Sequence, residues 1–372
     1  MLLLLIPGPV MTRPEVKAAM TVDLAPWDRD FHPLLASVRE RVVTIAGGAP
    51  DTHITLPLQG CGHFVTEAMI RTFIPAGGKL LMPMTGAYAQ RMVRLAREAG
   101  RVPVPFDVPM DRPVAPAALE AALAAEPEAT HVGLVQSETG SGVVNDPAVL
   151  GAVARAAGRR VLLDAVSAFG ALPMDLSAQP EIDALVFTSG KCLEGMPGLG
   201  FAVARIDRLE ASQGNAGSWS FDLSDLLAHA RRSGLGSFRF TPPAQVLNAF
   251  RTALDLFDAE GRQKGRLARY AANTAALRAG IERIGLRPVL EAQNQGPIVF
   301  NVHAPADPKW DLFAFVDALK QRGVLISNFY NTPMPGFRVG TIGAVEPADL
   351  TRATEAMGEA LDELGLKRRE AA

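Results

Sequence analysis

Residues 161–204 read VLLDAVSAFGALPMDLSAQPEIDALVFTSGKCLEGMPGLGFAVA. Three short apolar runs lie in and beside this segment, at Arg160–Asp164, Ala184–Ser189 and Gly200–Ala204. Runs of this length, bounded by glycine, proline and polar residues, predict β-strands. Because they are apolar almost throughout, they are typical of strands that are buried on both faces of a sheet.

The same pattern extends toward the N-terminus, to about residue 60. Two further apolar runs, Lys79–Pro83 and His131–Val135, are predicted to be strands. Amphipathic helical patterns lie between the runs, at Thr66–Phe73, Gly86–Ala99, Ala115–Ala125 and Pro147–Ala157. Strands that alternate with helices predict an α/β fold with a mainly parallel sheet covered by helices. Ligands of such sheets bind outside the carboxyl ends of the strands, so the residues that follow each strand are the candidates for a site.

A second region follows the long helical stretch Pro243–Leu267. Further helices are predicted at Ala271–Ile284, Trp310–Arg322 and Leu350–Leu364. Further strands are predicted at Pro297–Val302, Gly323–Ser327 and Phe337–Thr341. This mixture predicts a smaller α+β domain at the C-terminal end.

Composition excludes several classes of protein. The 372 residues are 48% hydrophobic with a net charge of −2, which predicts a buried core and neither a nucleic-acid nor a membrane-surface footprint. The two cysteines, Cys61 and Cys192, exclude a disulfide scaffold, and no Cys/His cluster has zinc spacing, so no metal is expected. The apolar run Leu2–Ile6 is too short for a signal peptide. We expect a cytoplasmic protein with a small-molecule substrate.

The segment Gln59–Phe64 reads QGCGHF and comes directly before a predicted helix. Free backbone N–H groups at a helix start, with glycines that permit close approach, form a site suited to phosphate. An ordinary turn is the alternative. His63 is interpreted as a backbone contributor or a packing residue rather than as a general base.

Asp164 and Lys191 each follow an apolar strand. Asp164 is either a turn residue or a carboxylate that keeps a ring nitrogen protonated, as pyridoxal phosphate requires. Lys191 precedes the glycine-rich segment Gly195–Gly200, and it is either a surface lysine or a desolvated amine that can form a Schiff base.

Arg338 lies within the apolar run Phe337–Gly340. A buried arginine either closes an internal salt bridge or binds a substrate anion through two hydrogen bonds. A phosphate cradle, a strand-end Asp and a strand-end Lys occur in this order on one α/β pattern, with an Arg further on. Together they predict a pyridoxal phosphate site of fold type I.

The chain also resembles a known family, the class V aminotransferases, from Leu4 to about Asp362. The motifs that carry the resemblance are LLIPGP (4–9), LQGCG (58–62), GAY (86–88), SET (137–139), DAVSAFG (164–170), KCLEGMPG (191–198) and FRFTPP (238–243). The resemblance implies an N-terminal arm that reaches the active site (residues 1–20), a large cofactor-binding domain (21–255) and a small C-terminal domain (256–372).

The resemblance implies roles for individual residues. Lys191 is the implied catalytic residue and holds pyridoxal 5'-phosphate covalently, with Asp164 on the ring nitrogen. Tyr88 and Val166 are implied to pack on the two faces of the ring, and Thr139 to bond near its oxygen. The implied phosphate cup consists of Gly60, Cys61, Gly62 and His63.

The implied substrate site combines Arg338 with the arm residues Pro7, Gly8 and Pro9. Thr241 is implied to reach the phosphate bound by a neighbouring subunit, which makes the protein a homodimer with shared active sites. Within the class, the resemblance is to members that act on a phosphonate. It implies transfer of the amino group of 2-aminoethylphosphonate to pyruvate, with phosphonoacetaldehyde and L-alanine as products.

Three positions and one segment depart from that pattern. Gly190 stands where an amide is usual, Cys61 where a hydroxyl is usual, and Gly217 where a basic side chain is expected. Ile326–Gly336 replaces a shorter, lysine-containing segment. Since a phosphonate dianion favours more than one cation, another class V aminotransferase that uses alanine or serine with glyoxylate or pyruvate remains an alternative.

Three more distant alternatives remain. A pyridoxal phosphate lyase or desulfurase would use a cysteine such as Cys192. A nicotinamide dehydrogenase requires Gly-x-Gly-x-x-Gly, and the segment Gly60–Val65 lacks the third glycine. A non-catalytic binding protein of the same fold would not need both Asp164 and Lys191.

Overall fold

The computed structural model describes residues 2–328 and 335–367. The strands are β1 (Leu3–Leu4), β2 (His53–Gly60), β3 (Lys79–Pro83), β4 (Val102–Phe106), β5 (Ala129–Val135), β6 (Arg160–Asp164), β7 (Ile182–Thr188), β8 (Gly198–Arg205), β9 (Val299–His303), β10 (Val324–Leu325) and β11 (Gly336–Gly340). The α-helices are α1 (Pro14–Ala19), α2 (Phe31–Ile45), α3 (Gly62–Phe73), α4 (Ala87–Glu98), α5 (Pro116–Ala125), α6 (Pro147–Ala156), α7 (Ile206–Ala211), α8 (Leu223–Ser233), α9 (Ala244–Ala259), α10 (Arg262–Arg283), α11 (Leu312–Gln321) and α12 (Pro347–Glu363).

Seven strands form one sheet in the order β2-β8-β7-β6-β5-β3-β4. The five strands from β7 to β4 are parallel, whereas β8 runs antiparallel to both of its neighbours. Strand β2 therefore runs in the same direction as β7. The carboxyl ends of six of the seven strands meet at one edge of the sheet.

The central strands are buried on both faces because alternate apolar residues enter two different cores. Leu163 and Phe187 lie in the core on one face of the sheet. Leu162 and Val186 lie in the core on the opposite face. The expected α/β fold with a mainly parallel, helix-covered sheet is confirmed.

Two strands of the seven-stranded sheet, β2 and β4, are not predicted by the sequence pattern, and neither is the short strand β1. Strands β2 and β4 are the two edges of the seven-stranded sheet. Pro57 lies within β2, and Pro103 and Pro105 lie within β4. An edge strand tolerates proline because one side of its backbone needs no ladder hydrogen bond, and the same prolines interrupt the apolar pattern by which strands are recognised.

Local signals begin several of the helices that cover the sheet. The Asp146 carboxylate accepts a hydrogen bond from the backbone N–H of Ala148 at 2.8 Å, and Pro147 occupies the first turn of α6. Helix α4 instead begins after Gly86, whose φ of 154° favours glycine. This glycine places the start of α4 directly after the end of β3.

The C-terminal region is a smaller α+β unit, as expected. Strands β9 and β11 pair antiparallel, while β1 from the N-terminus pairs with β10 in parallel. The prediction of one helix over Pro243–Leu267 is wrong, because Gly261, with φ of 91°, separates α9 from α10. The division at residues 20 and 255 stays a prediction. Among the described helices, none has the length and apolar character needed to cross a bilayer.

Candidate active site

A cavity of about 210 Å³ opens at the edge where the strands end. Residues that follow β2, β6 and β7, the start of α4 and the N-terminal arm form its wall. The lining residues are Gly8, Pro9, Cys61, Gly62, His63, Thr66, Tyr88, Arg91, Asp164, Val166, Thr188, Gly190, Lys191 and Pro197. The structure thus brings most of the predicted site residues into one cavity.

Lys191 lies in the loop between β7 and β8 and is half-buried. Its Nζ donates a hydrogen bond to the backbone oxygen of Pro7 at 2.6 Å. Burial lowers the pKa of Lys191 to about 8, and the positive charges of Arg338 and Arg91 act in the same direction. Much more of this amine is therefore neutral and nucleophilic near neutral pH than of an exposed lysine.

Asp164 ends β6 and is buried. Its Oδ1 accepts a hydrogen bond from the backbone N–H of Val166 at 2.9 Å, and Oδ2 accepts none from the residues that the structure describes. Burial raises the pKa of Asp164 to about 6. A cationic N–H group in the cavity would supply the missing partner for this carboxylate.

The first turn of α3 offers unpaired backbone donors. Cys61 precedes the helix without capping it through its side chain, and the N–H groups of Gly62 and His63 donate to no acceptor within residues 2–328 and 335–367. A Cβ on Gly62 would lie 2.8 Å from Cγ1 of Val166, so glycine is required for this close approach. These donors, at the positive end of a helix, form an anion site.

Gly60 supports this turn from outside the cavity. Its φ is 137°, and a Cβ at this position would lie 2.3 Å from Cδ2 of Phe64. Gly60 does not line the cavity, and it shapes the turn before α3 through its backbone conformation.

Tyr88 is held at the cavity wall by a buried acid that the sequence patterns do not single out. Both carboxylate oxygens of Glu138 accept a hydrogen bond from the backbone N–H of Tyr88, at 3.3 and 3.2 Å. Glu138 is fully buried, and burial raises its pKa to about 7. A Cβ on Gly86 would lie 2.7 Å from the Glu138 carboxyl carbon. Glu138 thus fixes the start of α4, which carries Tyr88.

Arg338 lies in a second cavity, of about 330 Å³, which it shares with Pro7, Gly8 and Ser327. Its Nε donates to Ser327 Oγ at 3.4 Å, and Nη1 donates to the backbone oxygen of Thr139 at 3.5 Å. Since Gly8 lines both cavities, the N-terminal arm lies between Lys191 and Arg338.

Besides Gly60, two further predicted cofactor residues lie outside the cavity lining. The Thr139 hydroxyl is buried and shares a 2.8 Å hydrogen bond with Ser167 Oγ. Thr241 is exposed on the surface of its own chain. Of the segment Ile326–Gly336, residues 329–334 lie outside the described residues.

Cys192 follows Lys191 but does not line the cavity. Its thiol is buried, and Sγ donates to the backbone oxygen of Ser167 at 3.1 Å. Burial raises the pKa of Cys192 to about 12, which leaves almost no thiolate to attack a sulfur atom. The geometry disfavours the desulfurase alternative.

These features fit pyridoxal phosphate. Lys191 supplies an amine of lowered pKa, Asp164 has a carboxylate oxygen available for a ring N–H, and α3 offers N–H groups to a phosphate. The side chains of Tyr88 and Val166 line the space between these groups.

Comparison with known proteins gives the same result. Residues 26–328 match the family described as aminotransferase class-V. The chain is 43% identical, over 98% of its length and 96% of the relative's, to the 2-aminoethylphosphonate–pyruvate transaminase of Burkholderia ambifaria. It is 41% identical to the transaminase of the same name from Cupriavidus necator, with 98% and 96% of the two chains covered.

Solved structures show the same fold. Pyridoxamine-pyruvate aminotransferase from Mesorhizobium loti superposes with a TM-score of 0.88 at 26% identity, over 98% of this chain and 93% of that chain. Alanine–glyoxylate aminotransferase from Nostoc sp. also superposes with a TM-score of 0.88, at 24% identity, over 97% and 95% of the two chains.

The lowered pKa of Lys191 predicts how the cofactor-free chain captures pyridoxal phosphate. The capture rate should rise with pH and level off above about 8, because the neutral amine is the nucleophile. Borohydride reduction at each pH, followed by peptide mass spectrometry, measures labelling of Lys191. Lys79 is the internal control, since Glu128 and Glu126 raise its pKa. A midpoint for Lys191 as high as that for Lys79 would contradict the assignment.

The close approach of Gly8 to Lys191 predicts that Gly8→Ala displaces the lysine. An added Cβ would lie 2.5 Å from both Cδ and Cε of Lys191. We expect covalent capture to slow by roughly 100-fold. Gly214→Ala is the matched control, because Gly214 also has a positive φ, 84°, but a Cβ there meets no atom within 4 Å. Equal capture rates for the two variants would show that the arm does not constrain Lys191.

Proposed function

The chain belongs to the class V aminotransferases, and from this premise we propose that it transfers the amino group of 2-aminoethylphosphonate to pyruvate. Its cofactor is pyridoxal 5'-phosphate, and its substrates are an amino donor and a 2-oxo acid. The observation that carries the proposed donor is the identity above 40% to transaminases of that name over almost the whole chain.

We propose that the residues of the first cavity hold the cofactor. Lys191 binds its aldehyde carbon, and the N–H groups of Gly62 and His63 donate to its phosphate. Tyr88 and Val166 pack against the ring. When bound, the cofactor supplies an electron sink for the pair left on the donor carbon as a proton departs. Asp164 accepts a hydrogen bond from the ring nitrogen and, as a carboxylate, favours its protonated form.

Lys191 is the proposed proton carrier. With the cofactor held in the cavity and its own Nζ free and neutral, Lys191 would accept the proton from the amine-bearing carbon of the donor and would release it again within the cavity. The pKa of about 8 suits both steps, because the amine is then able to accept and to release a proton near neutral pH. The backbone oxygen of Pro7 orients Nζ through its 2.6 Å hydrogen bond.

Arg338 is the proposed residue for the substrate anion in both half-reactions. It binds the phosphonate of the donor in one and the carboxylate of pyruvate in the other. Ser327 and the backbone oxygen of Thr139 set the plane of its guanidinium group. A fixed guanidinium group can present two parallel N–H donors to either anion.

A homodimer with shared active sites is also proposed. Thr241 is exposed, and it follows Phe240, whose side chain is 52% exposed. The ring of Phe240 packs edge-on against Trp219, which is 71% exposed. Clustered exposed aromatic side chains are typical of protein interfaces. The two cysteines are both free thiols, in agreement with the proposed cytoplasmic location.

The donor can be identified from single half-reactions. The holoenzyme is mixed with one amino donor at a time, and the visible absorption of the bound cofactor is followed with time. We expect 2-aminoethylphosphonate to bleach it faster than alanine or serine by roughly tenfold or more. If alanine or serine is faster, the alternative class V aminotransferase holds. The lack of any side chain at Gly217, where a cation is expected, is the observation that favours this alternative.

Arg338→Gln tests the anion site in the same experiment. We expect it to raise the free-energy barrier of both half-reactions by about 2–5 kcal/mol, because a buried, charge-assisted contact is lost. Arg287→Gln is the control, since Arg287 is an exposed arginine of the same C-terminal region. Unchanged rates in Arg338→Gln would assign Arg338 a structural role only.

The proposed dimer predicts the mass of the protein in solution. Light scattering should give twice the mass of one chain. We expect Trp219→Ser with Phe240→Ser to shift the mass toward that of one chain, because both exposed rings would leave the interface. A monomer in the wild type would refute the shared site.

A further inference from the structure

Arg91 is a charged residue of the cofactor cavity for which the proposed mechanism has no use. It lies on α4, one turn after Tyr88, and its Cζ is 4.7 Å from the centroid of the Tyr88 ring. Among the described residues it forms no ion pair and no side-chain hydrogen bond. Arg94, one turn further along, instead pairs with Glu98 at 3.7 Å. Arg91 therefore differs from its helical neighbour by facing the cavity without a carboxylate partner.

The charge of Arg91 acts on titratable groups at both ends of the cavity, on His63 at one end and on Asp164 and Lys191 at the other. After burial, it is the next largest cause of the lowered pKa of His63, in the first turn of α3. It also acts to lower the pKa of Asp164 and of Lys191. Its guanidinium group therefore lies within electrostatic range of the N–H groups that face the anion site.

The anion site needs such a charge. A phosphate ester carries close to two negative charges at neutral pH. Within its own chain the site offers the backbone N–H groups of Gly62 and His63, the weak thiol donor of Cys61, and no side chain at Gly190. The hydroxyl of Thr241, proposed to come from the neighbouring subunit, is uncharged as well. A Cβ on Gly190 would already lie 3.3 Å from the Cα atom of Pro197, so the backbone leaves little room for a polar side chain there.

Among the described residues, the other lysines and arginines of the two cavities have other roles or positions. Lys191 is committed to the aldehyde carbon in the proposed function, and Arg338 lies in the second cavity, beyond the Pro7–Gly8 segment of the arm. Among the described residues that line the first cavity, Arg91 is the remaining arginine or lysine.

We propose that Arg91 binds the phosphate group of the cofactor and is its main cationic partner. The inference rests on the cofactor assignment of the proposed function and is independent of the identity of the amino donor. The guanidinium group stacks on Tyr88, which limits its freedom, so it can present its N–H donors to the phosphate with little loss of side-chain entropy. Cofactor affinity thus depends on a helix that also carries the ring-stacking residue.

The test compares two ligands that differ only in the phosphate. Dissociation constants of pyridoxal phosphate and of pyridoxal are measured with the cofactor-free full chain, by absorbance titration. We expect Arg91→Gln to raise the dissociation constant of pyridoxal phosphate by roughly 10- to 100-fold. The dissociation constant of pyridoxal should stay within about twofold of the wild-type value. Arg91→Lys should retain part of the affinity, because it keeps the charge but loses the paired donors. Arg94→Gln is the matched control and should change neither constant.

Three results would overturn the proposal. If Arg91→Gln weakens the binding of both ligands equally, Arg91 only supports Tyr88 and the fold. Unchanged affinity for pyridoxal phosphate with a raised KM for the donor would place Arg91 at the substrate anion instead. Unchanged affinity with unchanged kinetics would give it no role in the site. If the wild-type chain fails to bind pyridoxal phosphate at all, the cofactor assignment itself is wrong, which is a separate outcome.

Inorganic phosphate provides a second measurement that needs no covalent step. It should raise the thermal midpoint of the cofactor-free wild-type chain and of Arg94→Gln, because an anion that binds the folded state stabilises it. The rise should be lost in Arg91→Gln. A full rise in Arg91→Gln would contradict the proposal even if that variant binds the cofactor poorly for other reasons.

Discussion

The loop that carries Lys191 depends on a buried ion pair outside the cavity. Glu194, three residues after the lysine, has a φ of 56°, in the left-handed region that non-glycine residues rarely adopt. Its Oε1 accepts hydrogen bonds from Arg269 Nη2 at 2.6 Å and from the Tyr270 hydroxyl at 2.7 Å. Both partners belong to α10, so this helix holds the loop in a backbone conformation that would otherwise be costly. The position of the reactive amine follows from these contacts.

The same helix also fixes the region after Arg338. The Tyr270 hydroxyl accepts a hydrogen bond from the backbone N–H of Gly343, and Arg269 donates to the backbone oxygens of Gly343 and Val345, at 2.6 and 2.9 Å. A buried cluster of charges costs desolvation energy and adds little net stability by itself. A buried charge cluster is satisfied by one specific set of partners, however. In this protein those partners, Glu194 on one side and the backbone of Gly343 and Val345 on the other, lie on both sides of the site. Helix α10 therefore sets the lysine loop and the end of β11 relative to each other.

Sequence patterns predicted the interior of the sheet and the residues at its strand ends, because uninterrupted apolar runs report burial directly. They could not place the anion turn at the same edge. The anion turn follows β2, so its place at this edge depends on β2 running in the same direction as β7. The chain direction reverses from β7 to β8 and again from β8 to β2, and this pairing is a property of the sheet topology, not of the apolar runs. Glu138 and Arg91 were missed for a related reason. Whether a polar side chain points into a cavity depends on which elements pack around it. The SET and GAY motifs mark the segments that hold or precede these two residues, but they do not show where the side chains point.

Different elements form the two cavities, and this separates the proposed cofactor site from the proposed donor site. The first is built mainly on the sheet edge, whereas the wall between Lys191 and Arg338 is the N-terminal arm. The backbone N–H of Gly340 donates to the oxygen of Leu5 at 2.8 Å, and a Cβ on Gly340 would lie 2.3 Å from the oxygen of Ile6. The arm is therefore packed against β11, the strand that carries Arg338. Since the arm also accepts the hydrogen bond of Lys191 through Pro7, a shift of β11 would change the position of Arg338 and the orientation of the Lys191 amine together.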